Sequence, residues 1–238
     1  MHNGLRIVRG GYYGEPISLL LEMNGGVHEP QEERVFGEVL RYLPDNAVML
    51  ELGSYWAFYS MWFTKTVSRA CCYLLEPVQR NLELGQLNFR ANGFDGTFIR
   101  GYVGSETGMA DDGVPVYSVD AIADRYQLDR IHMLHADVQG TEFQMLNGAT
   151  TMIRESKVDF VFVSTHSNAL HRQCLQYLLE HEFEIIAEAD PANSYSVDGV
   201  IAAHRKGVAG PNCIAIAKKR VHDSQLIHHY DGAEQQDS

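Results

Sequence analysis

The stretch MLHADVQGTEFQML, residues 133–146, sets His135, Asp137, Gln139 and Glu142 between an apolar run and an amphipathic one. A carboxylate where a strand gives way to a helix can accept a proton, accept hydrogen bonds from a ligand, or bind a cation. Asp137 has no evident local structural duty and is read as a functional acid. Its neighbours do have one. Thr141 followed by Gln144 matches a capping box, and Glu142 in a first helical turn complements the helix dipole. His135 reads either as a satisfied core histidine or as part of a site. In STHSNALH (164–171), His166 ends another apolar run ahead of a helix. Ser167 or Asn168 is its expected cap, and His171 is expected on a solvated helix face. In YSVDGV (195–200), Asp198 with Gly199 is either an ordinary turn or a loop reaching over the site.

A second group lies earlier, in ELGSYWAFYS (51–60) and LLEP (74–77). Gly53 ends a strand-like run, and a glycine turn there lets a ligand approach the backbone closely, although a plain strand–turn–helix reads the same way. Glu76 stands 23 residues after Gly53. That interval suits a carboxylate accepting the two hydroxyls of a ribose. With Pro77 next, Glu76 also suits an acid at a helix N-terminus. A dinucleotide pyrophosphate needs a G-x-G-x-x-G loop. Here Gly53 to Phe58 is bulky and holds one glycine. This disfavours a nicotinamide oxidoreductase and favours a nucleoside without phosphates, which S-adenosyl-L-methionine satisfies.

The elements that must hold these residues alternate. Apolar runs at 48–53, 70–77, 97–104, 131–138, 158–165, 183–190 and 213–219 read as buried strands. Helical patterns at 55–66, 78–91, 118–126, 141–155 and 168–181 separate the first six, and a further helix is expected at about 29–42. The expected fold is α/β: a mostly parallel seven-stranded sheet with helices on both faces and an antiparallel last strand, the last two joined by a loop over 191–212. The reading is a single domain over 1–238, with an N-terminal helical extension at 1–45, a Rossmann-like core at 46–220 and a polar tail at 221–238. Ligands of such sheets lie at the carboxyl ends of the strands, which selects Glu51, Gly53, Glu76, Tyr102, Val103, Asp137, Thr165 and His166, with adenine expected near Tyr102 and Val103.

In order, GGVHEPQEE, VMLELGSYWAFYS, LEPVQRNLELGQLNFRANG, YSVDAIADRY, IHMLHADVQGTEFQMLNGA and FVFVSTHS resemble the FkbM family of S-adenosylmethionine-dependent methyltransferases over about residues 10–218. The Asp-Val-Gln-Gly block with its following glutamate is the most specific part. The resemblance implies the class I methyltransferase fold. It implies a cofactor motif holding Glu51, Gly53 and Ser60 (Ser54 lies in the same loop), a ribose site at Glu76 beside Pro77, and an acidic fourth-strand motif at Asp137 and Glu142. This chain departs from it at Tyr55, where the family usually has Asn, and at Ala57, where it has Gly. His135 replaces a common lysine and Ser164 a common glutamate.

With a formal net charge of -12 and no lysine- or arginine-rich run, the chain is expected to avoid nucleic acid and anionic membrane. Lacking a signal-like apolar segment or a run of spanning length, it is expected to be cytoplasmic. Its four cysteines are read as reduced core residues. The expected reaction is O-methylation of a hydroxyl on a small molecule, a sugar or secondary metabolite. The alternative is a non-catalytic nucleoside-binding module. A hydroxyl needs a base or a metal to help remove its proton. Asp137 and His166 are the candidate catalytic groups. Asp137, His166 and Asp198 together form a candidate site for magnesium, manganese or zinc, which the resemblance does not imply.

Overall fold

The apolar runs do pair into one sheet. The computed structural model describes residues 1–219, so the expected tail at 221–238 lies outside the described residues. In chain order the elements are α1 (Glu15–Met23), α2 (Pro30–Val39), β1 (Val48–Leu52), α3 (Phe58–Thr66), β2 (Cys71–Glu76), α4 (Gln79–Asn92), β3 (Thr97–Arg100), β4 (Tyr102–Val103), β5 (Gly108–Met109), β6 (Pro115–Tyr117) and α5 (Val119–Tyr126). There follow β7 (Ile131–Asp137), α6 (Glu142–Asn147), α7 (Thr150–Arg154), β8 (Val158–Thr165), α8 (Asn168–Glu180), β9 (Phe183–Ala189) and β10 (Gly199–Arg205). The large sheet has the order β3-β2-β1-β7-β8-β10-β9, parallel except for β10, which runs antiparallel to both neighbours. Strand order reverses between β1 and β7, which opens a crevice at their carboxyl ends.

Alternation along the strands decides which side of the sheet carries the site. Leu50, Leu52, Leu134, Ala136, Val161 and Val163 enter one core cluster with α5, α6, α7 and α8. Met49, Met133, Phe160 and Phe162 enter the other, with α1 to α4. By the two-residue period, Glu51, His135, Asp137 and Ser164 share the face of Met49, Met133 and Phe162. Register places Glu51 beside His135 and Asp137 beside Ser164. The polar row therefore lies under the N-terminal helices.

Several expectations need correction. The seventh strand is β10, not 213–219, and it lies inside the stretch expected to be a loop. All seven of its residues are buried, but Gly199, Ala202 and Ala203 dilute its hydrophobic signal. The 213–219 run is extended chain tied by single bonds, such as Ile214 N–H to Ile186 O at 2.8 Å. Tyr102 and Val103 leave the large sheet after Arg100 and join β5 and β6 in a small one. The helix expected over 141–155 breaks into α6 and α7 at Gly148, where an added Cβ would meet Gly104 O at 2.3 Å. The capping box does not form: Thr141 Oγ1 donates to Val138 O at 3.0 Å and does not cap the helix. The Ser167 cap does form, accepting from Leu170 N–H at 3.1 Å. His171 is buried and bonded to Thr165 Oγ1 at 2.9 Å, not solvated. Of the four cysteines, Cys72 and Cys174 are core residues, while Cys71 and Cys213 are exposed. The short helix α1 falls in the expected N-terminal helical extension, ahead of the helix expected at about 29–42.

Candidate active site

At the switch point lies a pocket of about 380 Å³, within the range typical of small-molecule sites. Glu51, Gly53, Ser54, Glu76, Pro77, Tyr102, Val103 and Asp137 all line it. Ser60 does not. It is fully buried behind the pocket, where its amide N–H donates to Glu51 Oε2 at 3.2 Å and so holds that side chain in place. Burial pushes the Glu51 carboxyl up to about 7 against the opposing pull of His135 and Ser60.

Glu76 ends β2 as a fixed acceptor. Its Oε2 accepts the Tyr55 N–H at 3.1 Å, and its Oε1 accepts the Val78 N–H at 2.9 Å. Burial raises its pKa, and these amides hold it back. Nearby, Ser54 Oγ is buried without a hydrogen-bond partner among the described residues. An unmatched hydroxyl beside a strand-end carboxylate suits a polar ligand such as the ribose of S-adenosylmethionine. Gly53 serves a different purpose from the one its turn suggested. It has φ +75°, and an added Cβ would stand 1.7 Å from the Asp137 carbonyl oxygen. The glycine is needed because β1 and β7 nearly touch there, whether or not a ligand approaches.

The β1–α3 loop keeps the backbone its unusual sequence strains. Tyr55 and Ala57, where the family pattern has Asn and Gly, both have positive φ, 39° and 63°. The Tyr55 ring packs against Tyr12 and Tyr13 from the N-terminal segment. Tyr12 stacks on Trp56 at 4.4 Å and bonds His28 Nε2 at 2.6 Å. Burial depresses His28 to about 4, so its ring is neutral. Tyr12, Tyr13, His28 and Glu29 thus line the pocket from the N-terminal helical extension. The only sequence signal for this was the GGVHEPQEE block, whose acids fold inward. Glu29 accepts from Tyr59 Oη at 2.8 Å, and burial, reinforced by Glu32, raises its pKa.

The two departures on β7 and β8 share one partner. His135 Nε2 donates to Glu32 Oε1 at 2.6 Å, and Ser164 Oγ donates to Glu32 Oε2 at 3.0 Å. Burial alone would lower the His135 pKa, but Glu32 and Glu51 raise it. The histidine is therefore a paired core residue whose ring also reaches the pocket wall.

Beyond Asp137, the rim gathers residues distant in sequence. His166 Nδ1 is bonded to Glu142, which is fully buried and also accepts the Gly140 N–H at 2.9 Å. Glu142 is thus not simply a dipole acid. His166 Nε2 lies 3.3 Å from Asp137 Oδ1 and 3.3 Å from Asp198 Oδ1. Both separations allow ion pairing, yet Nε2 makes no directed hydrogen bond to any described residue. Burial lowers the His166 pKa, but the surrounding carboxylates outweigh it and raise it to about 10. Burial likewise raises Asp198. A protonated ring cannot serve as a base. Asp137 is the residue of this trio that lines the pocket.

The family model described as the methyltransferase FkbM domain matches residues 89–185, from the end of α4 into β9. No curated protein matches the sequence. Similar solved structures include an rRNA methylase from Streptococcus thermophilus, with TM-score 0.54, 9% identity, and 74% of this chain and 96% of that one covered. TrmK from M. capricolum, solved with S-adenosyl-homocysteine, has TM-score 0.50 and 11% identity, covering 76% of this chain and 70% of that one. A precorrin-6y C5,15-methyltransferase from Geobacter metallireducens has TM-score 0.50 and 13% identity, covering 73% and 88%. At these identities the likeness concerns the fold, which is that of Rossmann-like methyltransferases.

Proposed function

We propose, from the premise that the chain belongs to the FkbM family of S-adenosylmethionine-dependent methyltransferases, that it methylates a hydroxyl of a small molecule. The cofactor supplies a sulfonium methyl, whose carbon–sulfur bond breaks as a carbon–oxygen bond to the acceptor forms. The chain's own part is to hold, align and deprotonate. We assign the ribose to Glu76 and Ser54, and the adenine to the part of the pocket lined by Tyr102 and Val103. Glu29, Glu51, Glu76 and Asp137 line the pocket with carboxyl oxygens, acceptors that suit a polar, cationic cofactor. Asp137 lines the far wall and is the group we assign to the acceptor's proton.

The observation that carries the small-molecule reading is the acidic, aromatic lining of the pocket. Among the described residues no lysine or arginine lines it, whereas Tyr12, Tyr13, Trp56 and Tyr59 do. Phosphate backbones are held by cationic side chains, which this mouth lacks. An RNA acceptor is the second reading, favoured by the rRNA methylase among the similar folds. The expectation of no nucleic-acid partner therefore stands as part of this proposal. The test incubates the full chain with S-adenosylmethionine and either pooled hydroxylated metabolites or tRNA and rRNA transcripts. Release of S-adenosylhomocysteine is followed together with the mass of the acceptor. Methylation of a hydroxylated metabolite is the expected result. Transfer to RNA alone would replace the proposal, and cofactor binding without any transfer would favour a non-catalytic binding module.

A further inference from the structure

Three carboxylates converge on the His166 ring from separate parts of the chain. Asp137 ends β7, Glu142 opens α6, and Asp198 precedes β10. None of the three is ion-paired to a lysine or arginine among the described residues. The nearest groups add more negative charge or none: Asp198 and Asp137 both act on the Tyr13 phenol, and both act on Glu29. One imidazolium offsets only part of the charge of three carboxylates, and a divalent cation that displaced its proton would offset more.

The arrangement also has the internal order of a ligand set. Glu142 takes His166 Nδ1, which fixes the ring and leaves Nε2 facing the two aspartates; a metal-bound histidine is oriented in the same way by a carboxylate behind it. Nε2 stands 3.3 Å from each aspartate oxygen, and the three donor atoms lie within 4.8 Å of one another. Donors bound at about 2.1 Å sit roughly 3.0 to 3.4 Å apart in octahedral or tetrahedral shells. The histidine-to-aspartate spacings already fall there, and a small rotation of either carboxylate completes the set.

We infer that Asp137, His166 and Asp198 bind a divalent cation at the acceptor end of the pocket, with Glu142 as the positioning residue behind the histidine. One imidazole and two carboxylates suit a borderline-to-hard ion, with manganese the best match and zinc or magnesium as competitors. Because Asp137 lines the pocket, positions on the ion not filled by protein would face the acceptor, whose hydroxyl would become more acidic there. In that arrangement Asp137 holds the ion and is not a free base, and this acceptor role rests on the proposed methyl transfer. The binding site itself does not.

The test therefore measures binding without cofactor or acceptor. The full chain is stripped with EDTA and titrated with Mn²⁺, the free ion being read by its paramagnetic resonance signal. One saturable site per chain is expected. Asp198→Asn keeps the shape of the loop and should weaken binding at least tenfold, His166→Ala should abolish it, and Glu142→Gln should weaken it by about tenfold or more. Circular dichroism and thermal melting establish that each variant is folded. No saturable Mn²⁺ binding by the wild-type chain would overturn the inference, as would binding that is unchanged in folded Asp198→Asn. A metal-binding chain that transfers no methyl group would leave the site standing and remove only the methyl-transfer reading.

Discussion

Glu76 and Asp137 both end parallel strands and both line the same pocket, yet they are held in different ways. Glu76 is buried and anchored by backbone amides of the two adjoining loops. Asp137 is half-buried, and its side-chain partners are Gln139 and the imidazole of His166. The side we assign to the cofactor is thus fixed by local chain geometry. The acceptor side is assembled from side chains that meet only after the whole sheet has formed. A site built in this way can keep one cofactor while its acceptor changes, because substitutions at the second half leave the first half's supports in place.

The strongest way to break the contrast is at Gly53, where the two halves touch. Gly53→Ala puts a methyl 1.7 Å from the Asp137 carbonyl and holds it at positive φ. The expected loss of stability is about 4 kcal/mol or more, read as a fall in melting temperature or a failure to accumulate folded chain. A normal melt would show that β1 and β7 separate readily there.

Within the folded site, Asp137→Asn and Glu76→Ala should fail differently. Removing the proposed base should lower turnover by about 10²- to 10⁴-fold, with the cofactor's dissociation constant nearly unchanged. Glu76→Ala should weaken cofactor binding by about 1–3 kcal/mol through lost charge-assisted hydrogen bonds. Calorimetry with S-adenosylhomocysteine beside a turnover assay separates the two. Equal effects of both variants on affinity would mean that the pocket acts as one unit.

This contrast also explains what could be read in the sequence. The buried strand runs, Glu76 after Gly53 and the strand-terminal Asp137 are local patterns, and local patterns were legible. β10 was missed because small residues carry burial without hydrophobic contrast. The inward turn of Glu29, Glu32 and Glu33 was missed because an acid's partner does not lie next to it: Glu32 meets His135 and Ser164 across 103 and 132 residues. Glu142 looked sufficient as a dipole acid, and only the fold brings His166 to it. The departures at His135 and Ser164 looked like two separate oddities until both proved to face one glutamate.

The wall shared by the two halves should reveal itself through pH. The buried Glu51 carboxyl titrates at about 7 in the folded chain, against an ordinary value of 4.5. Between these values the unfolded chain has lost its proton and the folded chain has kept it. Stability is therefore full below the lower value and falls as pH rises through the upper one. The Glu51 share of that fall is about 3 kcal/mol, an order-of-magnitude figure. Glu29, Glu33 and Glu76 are raised by burial as well and slope the same way. Glu51→Gln should remove part of the slope between pH 5 and about 7.5 in denaturant titrations. An unchanged slope would mean that Glu51 is ionised in the folded protein.

The smallest effect should come from Ala57, whose left-handed conformation the family pattern would give to glycine. Relieving a non-glycine residue at φ 63° is worth about 1–2 kcal/mol. Against this, glycine costs about 0.4–1 kcal/mol through the freer unfolded chain. It also removes a fully buried methyl, worth about 0.8 kcal/mol. These nearly cancel, so Ala57→Gly should move stability by less than about 1 kcal/mol, and by no more than about 4 °C in melting temperature for a chain of this size. Cofactor affinity should also hold, because the Glu76 carboxylate takes its loop contact from the Tyr55 N–H and not from Ala57. A stabilisation well above that limit would show that the strained loop is a real load on the cofactor half. A large loss would show instead that the Ala57 methyl is a packing point that the family's glycine could not replace here.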